Sequence, residues 1–433
     1  MSSLAQHFLR RGYTIKGSDC TRNQQVDMLI NMGAQISIGH NGNKVDGADM
    51  CIYSLAVGKD NVEVTRAHQL GIPTFSREQL LASVFNGCDN CIAVAGTHGK
   101  TSTCGLLSSA LEGCGKNPTA FIGGLLNDKG NYIDGGYEYC VVEACEYKRA
   151  FLTLAPTVGI ILNIDLEHLD YYREMQDIES AFRQFAFNIV RGGCLIINGD
   201  CIKKTIFDCD AQIVSFGIDR HCDYTARNIT ELNGRYCFDC YCGEQYLCRV
   251  KPLLIGEHNI YNALATVVCC HRLGLDMNTT ANGIGSFTGT LRRWSVLENR
   301  YTNIVEDYAH HPSELRAIVK TAKLQGYART VLFFQPHTYS RLQKLFYDFV
   351  SCFIGVDKLY LLPIYPARER KIEGITSQAL ANAIESAGVV DVEYVDSFSN
   401  AVTIIKQYTQ DDLVLLVGAG DIDNLGRLLT QEN

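Results

Sequence analysis

Along this chain, short apolar runs alternate with stretches whose apolar residues recur every three to four positions, the signature of strands alternating with helices. The pattern predicts a helix over residues 4–12, a short strand at 14–16 ending in Gly17-Ser18-Asp19, a helix at 24–32, strands at 35–38 and 50–54, and a helix at 62–70. A buried run at 91–95 then leads through a glycine-rich turn into a helix at 102–111. Strands follow at 139–143, 158–163, 194–198 and 212–216, then a β-rich insert at 224–250 and a helix at 259–272 carrying Leu264, Val267 and Val268 on one face. The glycine-rich segment 283–289 reads as the approach to a boundary. Beyond it, strands are predicted at 303–307, 330–334, 358–362, 392–395 and 413–417, with Leu342, Leu345, Phe346, Phe349 and Phe353 forming one buried helical stripe.

This alternation predicts an α/β protein built on largely parallel sheets. At 433 residues three domains are expected: a Rossmann-like domain over 1–88, a central P-loop ATPase-type domain over 89–290 and a Rossmann-like domain over 291–433. A doubly wound domain ordinarily opens with a strand and a phosphate-binding turn. Residues 1–88 open inside a helix, so the first domain is expected to be truncated, without its first strand and glycine loop.

The net charge of −8, with both signs interspersed, argues against nucleic acid as a partner. No apolar stretch reaches the ~20 residues that span a bilayer, and Met1 leads into polar residues rather than an export signal, so a cytoplasmic protein without membrane attachment is expected. The 19 cysteines are odd in number and irregularly spaced, and Cys269, Cys270 and Cys352 sit in apolar runs, which suits reduced core residues. Cys237, Cys240, Cys242 and Cys248 fall in an alternating stretch and read as strand positions in preference to a zinc site.

The strongest chemical signal is Gly96-Thr97-His98-Gly99-Lys100-Thr101-Ser102-Thr103 between a strand and a helix. Backbone N–H groups at a helix start bind phosphate, a lysine reaches the terminal phosphates and a hydroxyl ligates Mg²⁺. The alternative is a chance Gly-Lys-Thr turn, and Val94 stands where the standard pattern has glycine. Glu143 ends a strand, where a carboxylate emerges beside such a loop and suits Mg²⁺; the alternative is a surface glutamate. His168 taken alone is more often a packed histidine than a ligand. Of the adjacent Arg292 and Arg293, one is expected to face phosphate; the sequence does not say which, and Arg293 is taken for the role. His310, His311, His337 and Arg341 read as a substrate pocket in preference to a metal site, since an arginine can grip a carboxylate through two hydrogen bonds. Gly418-Ala419-Gly420 reads as a tight turn rather than a dinucleotide loop.

The loop resembles the ATP loop of the Mur ligases, and the resemblance continues in order along the chain. Val141-Val142-Glu143-Ala144-Cys145-Glu146 is similar to the family's Mg²⁺-binding segment, and Leu162-Asn163-Ile164-Asp165-Leu166-Glu167-His168-Leu169-Asp170 to its His-Leu-Asp segment. Gly256 to Ala265 resembles the adenine-contacting segment and Phe287 to Arg293 the segment whose arginine meets ATP phosphates. Asp307-Tyr308-Ala309-His310-His311-Pro312, Phe334-Gln335-Pro336-His337-Thr338-Tyr339-Ser340-Arg341 and Gly418-Ala419-Gly420-Asp421-Ile422 are similar to segments of the L-alanine-adding branch.

The resemblance implies ATP and Mg²⁺ as cofactors, with UDP-N-acetylmuramate and L-alanine joined through an acyl phosphate by a monomer or homodimer. It implies catalytic roles for Lys100, Glu143, His168 and Arg293. ATP contacts are implied for Gly96, Thr97, His98, Gly99, Lys100, Thr101, Ser102, His258, Asn259, Asn262, Arg293 and Asp307, and metal contacts for Thr101, Glu143 and His168. Substrate contacts are implied for Ser18, Asp19, His40 and Ser54 at strand ends of the first domain, and for Asn163, Tyr308, His310, His337 and Arg341. The chain departs from the branch in the missing opening strand and glycine loop, in Cys145 where aspartate is common, and in Thr338 where arginine is common. A peptide-adding relative and a non-catalytic nucleotide-binding module are the competing readings.

Overall fold

The computed structural model describes every residue except Lys59, Leu169, Asp170, Asp219, Arg220, Glu432 and Asn433, with Gln431 described in backbone alone. At its centre is a ten-stranded sheet. Buried strand Asn90–Ala95 lies between Tyr139–Glu143 and Val158–Ile161, all parallel. Cys194–Asn198, Gln212–Gly217 and Tyr224–Leu232 extend the parallel order on one side, and Thr119–Leu126 on the other. Antiparallel hairpins close both ends: Arg235–Cys242 with Gln245–Val250, and Thr119–Leu126 with Gly130–Ile133. Cys237, Cys240, Cys242 and Cys248 lie on the first of these hairpins, with Cys240 directly opposite Cys248.

Successive strand side chains point to opposite faces, and the sequence fills both faces with apolar groups. Ile92 and Val94 join a core with the helices Lys100–Gly113 and His258–Arg272, while Cys91, Ala93 and Ala95 join one with Met175–Phe187. Leu4 of helix Ser2–Arg10 and Leu81, Ala82 and Phe85 of helix Arg77–Phe85 belong to the second core. The strands of the first 88 residues form two separate parallel pairs, Lys16–Asp19 with Gln35–Ile38 and Cys51–Tyr53 with Thr74–Ser76. The C-terminal sheet has six strands in the order Ser295–Leu297, Asn303–Asp307, Asp412–Val417, Arg329–Phe334, Lys358–Leu361 and Val392–Tyr394, parallel except for the first.

One sequence expectation needs correcting, and the segment before the expected boundary takes a more definite form. The stripe from Leu342 to Phe353 is not one helix: the chain breaks at Leu345 between helices Tyr339–Lys344 and Phe346–Ser351. The glycine-rich segment is largely helical, Met277–Ser286, started by the Asp276 carboxylate, which accepts from the Thr279 N–H at 2.9 Å. Its glycine serves packing. A Cβ on Gly283 would lie 2.5 Å from the Ser109 carbonyl oxygen and 2.7 Å from the Ala110 Cα, because this helix crosses Lys100–Gly113 at backbone contact.

That crossing decides the sign of a substitution that helix propensity alone would get wrong. Alanine in place of a helical glycine ordinarily gains up to about 1 kcal/mol, whereas overpacking a rigid contact costs about 1–3 kcal/mol. Gly283→Ala is therefore expected to lower the denaturation midpoint. Gly285→Ala, whose Cβ would meet only the Lys251 carbonyl at 3.4 Å, is expected to leave it unchanged or raise it. A Gly283→Ala protein as stable as the Gly285→Ala protein would show that the crossing is not tight.

Candidate functional site

The phosphate-type loop leaves the carboxyl end of strand Asn90–Ala95 and enters helix Lys100–Gly113 through glycines that no other residue replaces easily. Gly96 has φ 137° and Gly99 φ 85°. A Cβ on Gly99 would lie 2.5 Å from Asn262 Oδ1. Asn163 braces the loop: His98 N–H donates to its Oδ1 at 2.7 Å, and its amide donates back to the His98 carbonyl at 3.1 Å. Thr97 is tied to Asp165 in the same way, its hydroxyl accepting from the Asp165 N–H at 2.8 Å. Ser102 sits in the first turn of the helix, half-buried.

Lys100 Nζ donates to the Gly96 and Thr97 carbonyls, at 2.5 and 3.1 Å, and to both oxygens of Glu146. The Glu146 side chain is fully buried and that of Lys100 is 12% exposed, with 3.0 Å between the charges. Burial opposes both charged forms, yet mutual attraction outweighs it: the ammonium is held above its ordinary range and the carboxylate, which His168 also supports, below. Beside them Thr101 Oγ1 donates to Glu143 Oε2 at 2.9 Å, and the Gly123 N–H donates to the same oxygen at 2.7 Å. Adjacent parallel strands bring Glu143 and the loop to one sheet edge. This hydroxyl and carboxylate are hard oxygen donors of the kind Mg²⁺ takes. His168 adopts φ 53° and sets Nε2 3.5 Å from Glu146 Oε1.

The C-terminal domain meets this edge at two acids, its own Glu314 and Glu167 of the central domain, each facing several cations. Glu314, in the first turn of helix Pro312–Lys323, accepts from His98 Nδ1 at 3.1 Å and lies 3.5 Å from His310 and 3.8 Å from Arg293. Burial pushes its carboxyl upward, but His310, His98 and Arg293 together hold it well below the usual range. Glu167 is bonded to Arg341 and lies 3.8 Å from His310. Arg341 also donates to the His337 carbonyl, and its charge adds to burial in lowering the His337 imidazole to about 4. The cleft between the domains holds about 540 Å³, lined by His168, His337, Thr338, Arg341, Arg368 and Glu369 among others. The loop after Cys51–Tyr53 comes to the same place, where Arg368 donates to the Ala56 carbonyl and Lys148 to that of Leu55, both at 3.3 Å.

Several residues expected to meet ligands are otherwise engaged. Asn163 spends both ends of its amide on the loop, as described. Asn259 and Asn262 are buried and hydrogen-bonded in series to Ile255 and Thr103, bracing the loop from beneath; His258 is exposed at the start of their helix. Asp307 accepts from the Trp294 and Ala309 N–H groups, both at 2.8 Å, so it pins the interdomain connection. Arg341 is committed to Glu167. Arg292 donates to the Gly418 and Gly420 carbonyls, at 2.7 and 3.0 Å, and sits over the Tyr308 ring, whereas Arg293 is 36% exposed near Glu314. Ser18 and His40 converge on Glu63, at 2.6 and 3.4 Å, while the Asp19 and Ser54 side chains accept from the local turn N–H groups of Thr21 and Ala56. Glu146, Glu167 and Glu314 carried no expected role. The first two lie inside segments already singled out, and the third follows Pro312 at capping-box spacing. The last two residues of the His168 segment, Leu169 and Asp170, lie outside the described residues.

Models of three families match successive parts of the chain: the Mur ligase family catalytic domain at residues 1–87, the Mur ligase middle domain at 94–270 and the Mur ligase glutamate ligase domain at 292–420. A UDP-N-acetylmuramate–L-alanine ligase of Clostridium tetani is 39% identical over 99% of this chain and 95% of that protein. The corresponding ligase of Caldanaerobacter subterraneus is 38% identical over 100% of this chain and 95% of that protein. Among solved structures, UDP-N-acetylmuramate–alanine ligase from Thermotoga maritima superposes with a TM-score of 0.85 at 24% identity, covering 100% of this chain and 96% of that one. A murein peptide ligase from Psychrobacter arcticus superposes at 0.73 with 21% identity, covering 100% and 96%. By its domain matches and its full-length relatives, the chain belongs to the Mur ligase family.

Proposed function

We propose that this chain is an ATP-dependent ligase that joins L-alanine to the carboxylate of UDP-N-acetylmuramate in the building of peptidoglycan precursors. The observation that carries the reading is the loop with its buried Lys100, the Thr101–Glu143 pair beside it, and a cleft lined by the central and C-terminal domains. Full-length relatives with this activity name the substrates.

ATP seats its phosphates on the loop N–H groups, with Lys100 directed at them and Arg293 approaching from the interdomain connection. Thr101 and Glu143 would hold Mg²⁺, which would offset charge on the phosphoryl group being transferred. The sugar carboxylate attacks the γ-phosphorus, giving an acyl phosphate and ADP. The amine of L-alanine then attacks the acyl carbon and phosphate leaves. His98 joined to Glu314, and Arg341 joined to Glu167, hold the C-terminal domain against the loop so that both reactants share one cleft.

Three outcomes test this. Phosphate release from ATP is expected to require UDP-N-acetylmuramate and L-alanine together. Release supported by a peptide instead of alanine would favour the peptide-adding relative, and ATP binding without release would favour a nucleotide-binding module.

Lys100→Met is expected to lower kcat by about 10²–10³-fold or more, the scale of one lost electrostatic contact in a transition state. It also strands Glu146, and an uncompensated buried charge costs about 3–5 kcal/mol. The double variant Lys100→Met/Glu146→Gln should recover the stability and not the activity. Recovery of both would make Lys100 structural only.

The third outcome concerns pH. His98 is held above its ordinary 6.5, because Glu314 outweighs the effect of burial. Its contribution to stability is therefore full below 6.5 and lost as pH rises through the higher folded value. Glu314, ordinarily near 4.5 and depressed, contributes above 4.5 and loses its contribution as pH falls through its folded value. Wild-type stability should thus decline on the alkaline side of 6.5, and His98→Asn should flatten that decline. Parallel urea-midpoint curves for the two proteins would refute the coupling.

A further inference from the structure

An incoming amino acid presents a carboxylate, and a guanidinium grips one best through two parallel hydrogen bonds. Arg341 lines the cleft, but both of its terminal nitrogens are spent, one on Glu167 and the other on the His337 carbonyl. Thr338 beside it is short and neutral, and its hydroxyl donates to Glu369 Oε1 at 2.7 Å. A cation for the carboxylate has to come from elsewhere on the cleft wall.

Arg368 lines the same cleft, on a turn pinned at both ends to the segment of His337 and Thr338. At one end the Tyr365 N–H donates to the Pro336 carbonyl at 2.9 Å, and the Tyr365 ring stacks on that of His337 with 5.7 Å between centroids. At the other end Glu369 accepts from the Thr338 hydroxyl and, at 2.8 Å, from the Ser340 N–H. Between the pins Ala367 stands at φ 52°, a backbone state that persists where surroundings impose it. Arg368 itself is exposed. Its one hydrogen bond among the described residues runs to a neutral acceptor, the Ala56 carbonyl, at 3.3 Å. The backbone is thus fixed while the charged fork is left available.

We propose that Arg368 binds the α-carboxylate of the incoming amino acid, an inference that rests on the ligase reading and deepens it. The phosphate loop has cations of its own in Lys100 and Arg293. The amine of the amino acid must face the acyl carbon beside that loop, which turns the carboxylate toward the opposite wall, where His337, Thr338 and Arg368 stand. There the guanidinium exchanges a long bond to a carbonyl for a charge-assisted pair.

The test is steady-state phosphate release by the full chain with L-alanine and with L-alaninamide, which keeps the amine and the methyl group and lacks the carboxylate. The wild type should prefer alanine in kcat/KM. Arg368→Met should raise the KM for alanine by about tenfold or more, the scale of a lost hydrogen bond to a charged group. It should leave the KM values for ATP and UDP-N-acetylmuramate unchanged and erase most of the preference over alaninamide. Arg368→Lys keeps the charge without the fork and should fall between. Equal denaturation midpoints for the three proteins would set loss of fold aside, as expected for an exposed side chain. An unchanged alanine KM in Arg368→Met would overturn the proposal, and a raised KM for UDP-N-acetylmuramate in its place would give the guanidinium to the diphosphate. A wild type without alanine-dependent release would sink the ligase reading and this proposal with it, an outcome distinct from a working wild type beside an unaffected variant.

Discussion

The buried pair of Lys100 and Glu146 is the interaction around which the site is arranged. Neither charge could remain in so enclosed a place without the other, and removing one partner from such a pair costs about 3–5 kcal/mol. Strand order makes the pair possible. Asn90–Ala95 and Tyr139–Glu143 are adjacent and parallel, so the loop that carries Lys100 and the turn that carries Glu146 leave the sheet at the same edge. The carbonyls of Gly96 and Thr97 take further bonds from the ammonium. A cation oriented in advance by three fixed groups pays little reorganisation when a phosphate arrives, which is the condition for strong electrostatic stabilisation.

The same logic recurs between domains. Glu314 faces His98, His310 and Arg293, and Glu167 faces Arg341 and His310. Each acid is enclosed and kept ionised by several cations, Glu314 by groups from both sides of the cleft and Glu167, on the central domain, by two groups of the C-terminal domain. The connection between the domains is fixed by polar groups too, through Asp307 on two backbone N–H groups and Arg292 on two carbonyls. Tyr308 lies between the two arginines, 5.0 Å from one guanidinium and 5.5 Å from the other. That arrangement leaves Arg293 the freer of the pair.

Hydrophobic periodicity located the strands that build the sheets, because parallel strands buried on both faces read as continuous apolar runs such as 91–95 and 413–417. The glycine loop was equally legible, since Gly96 and Gly99 occupy backbone states that few residues tolerate. Strands Thr119–Leu126 and Gly130–Ile133 escaped notice because glycines at 123, 124 and 130 interrupt their pattern. Helix Met277–Ser286 was hidden by its glycines, of which Gly283 serves a helix crossing. Side-chain direction was harder still. Asn163, Asn259, Asn262, Asp307 and Arg341 occupy segments adjoining the loop or cleft, yet their polar atoms turn inward to brace it, and no spacing rule separates a bracing amide from one that meets a ligand. Glu146, Glu167 and Glu314 show the converse: charges that become legible only when the fold encloses them beside their cations.

The distribution of apolar contact gives these ionic braces their significance. Two core clusters enclose the central sheet and take in Leu4 and the helix Arg77–Phe85, while two others enclose the C-terminal sheet. The central clusters run no further than Phe287, and the C-terminal ones begin at Trp294. No apolar cluster among the described residues spans both. What joins the C-terminal domain to the loop is therefore charge pairing across the cleft, added to by Lys320 with Glu257. Interfaces of that kind hold a geometry without welding it, since charges enclosed while the faces meet become hydrated when the faces part. A ligase that must admit a nucleotide, a sugar and an amino acid, then exclude water from an acyl phosphate, needs an interface that opens and re-forms, and a continuous hydrophobic core across the cleft would forbid it.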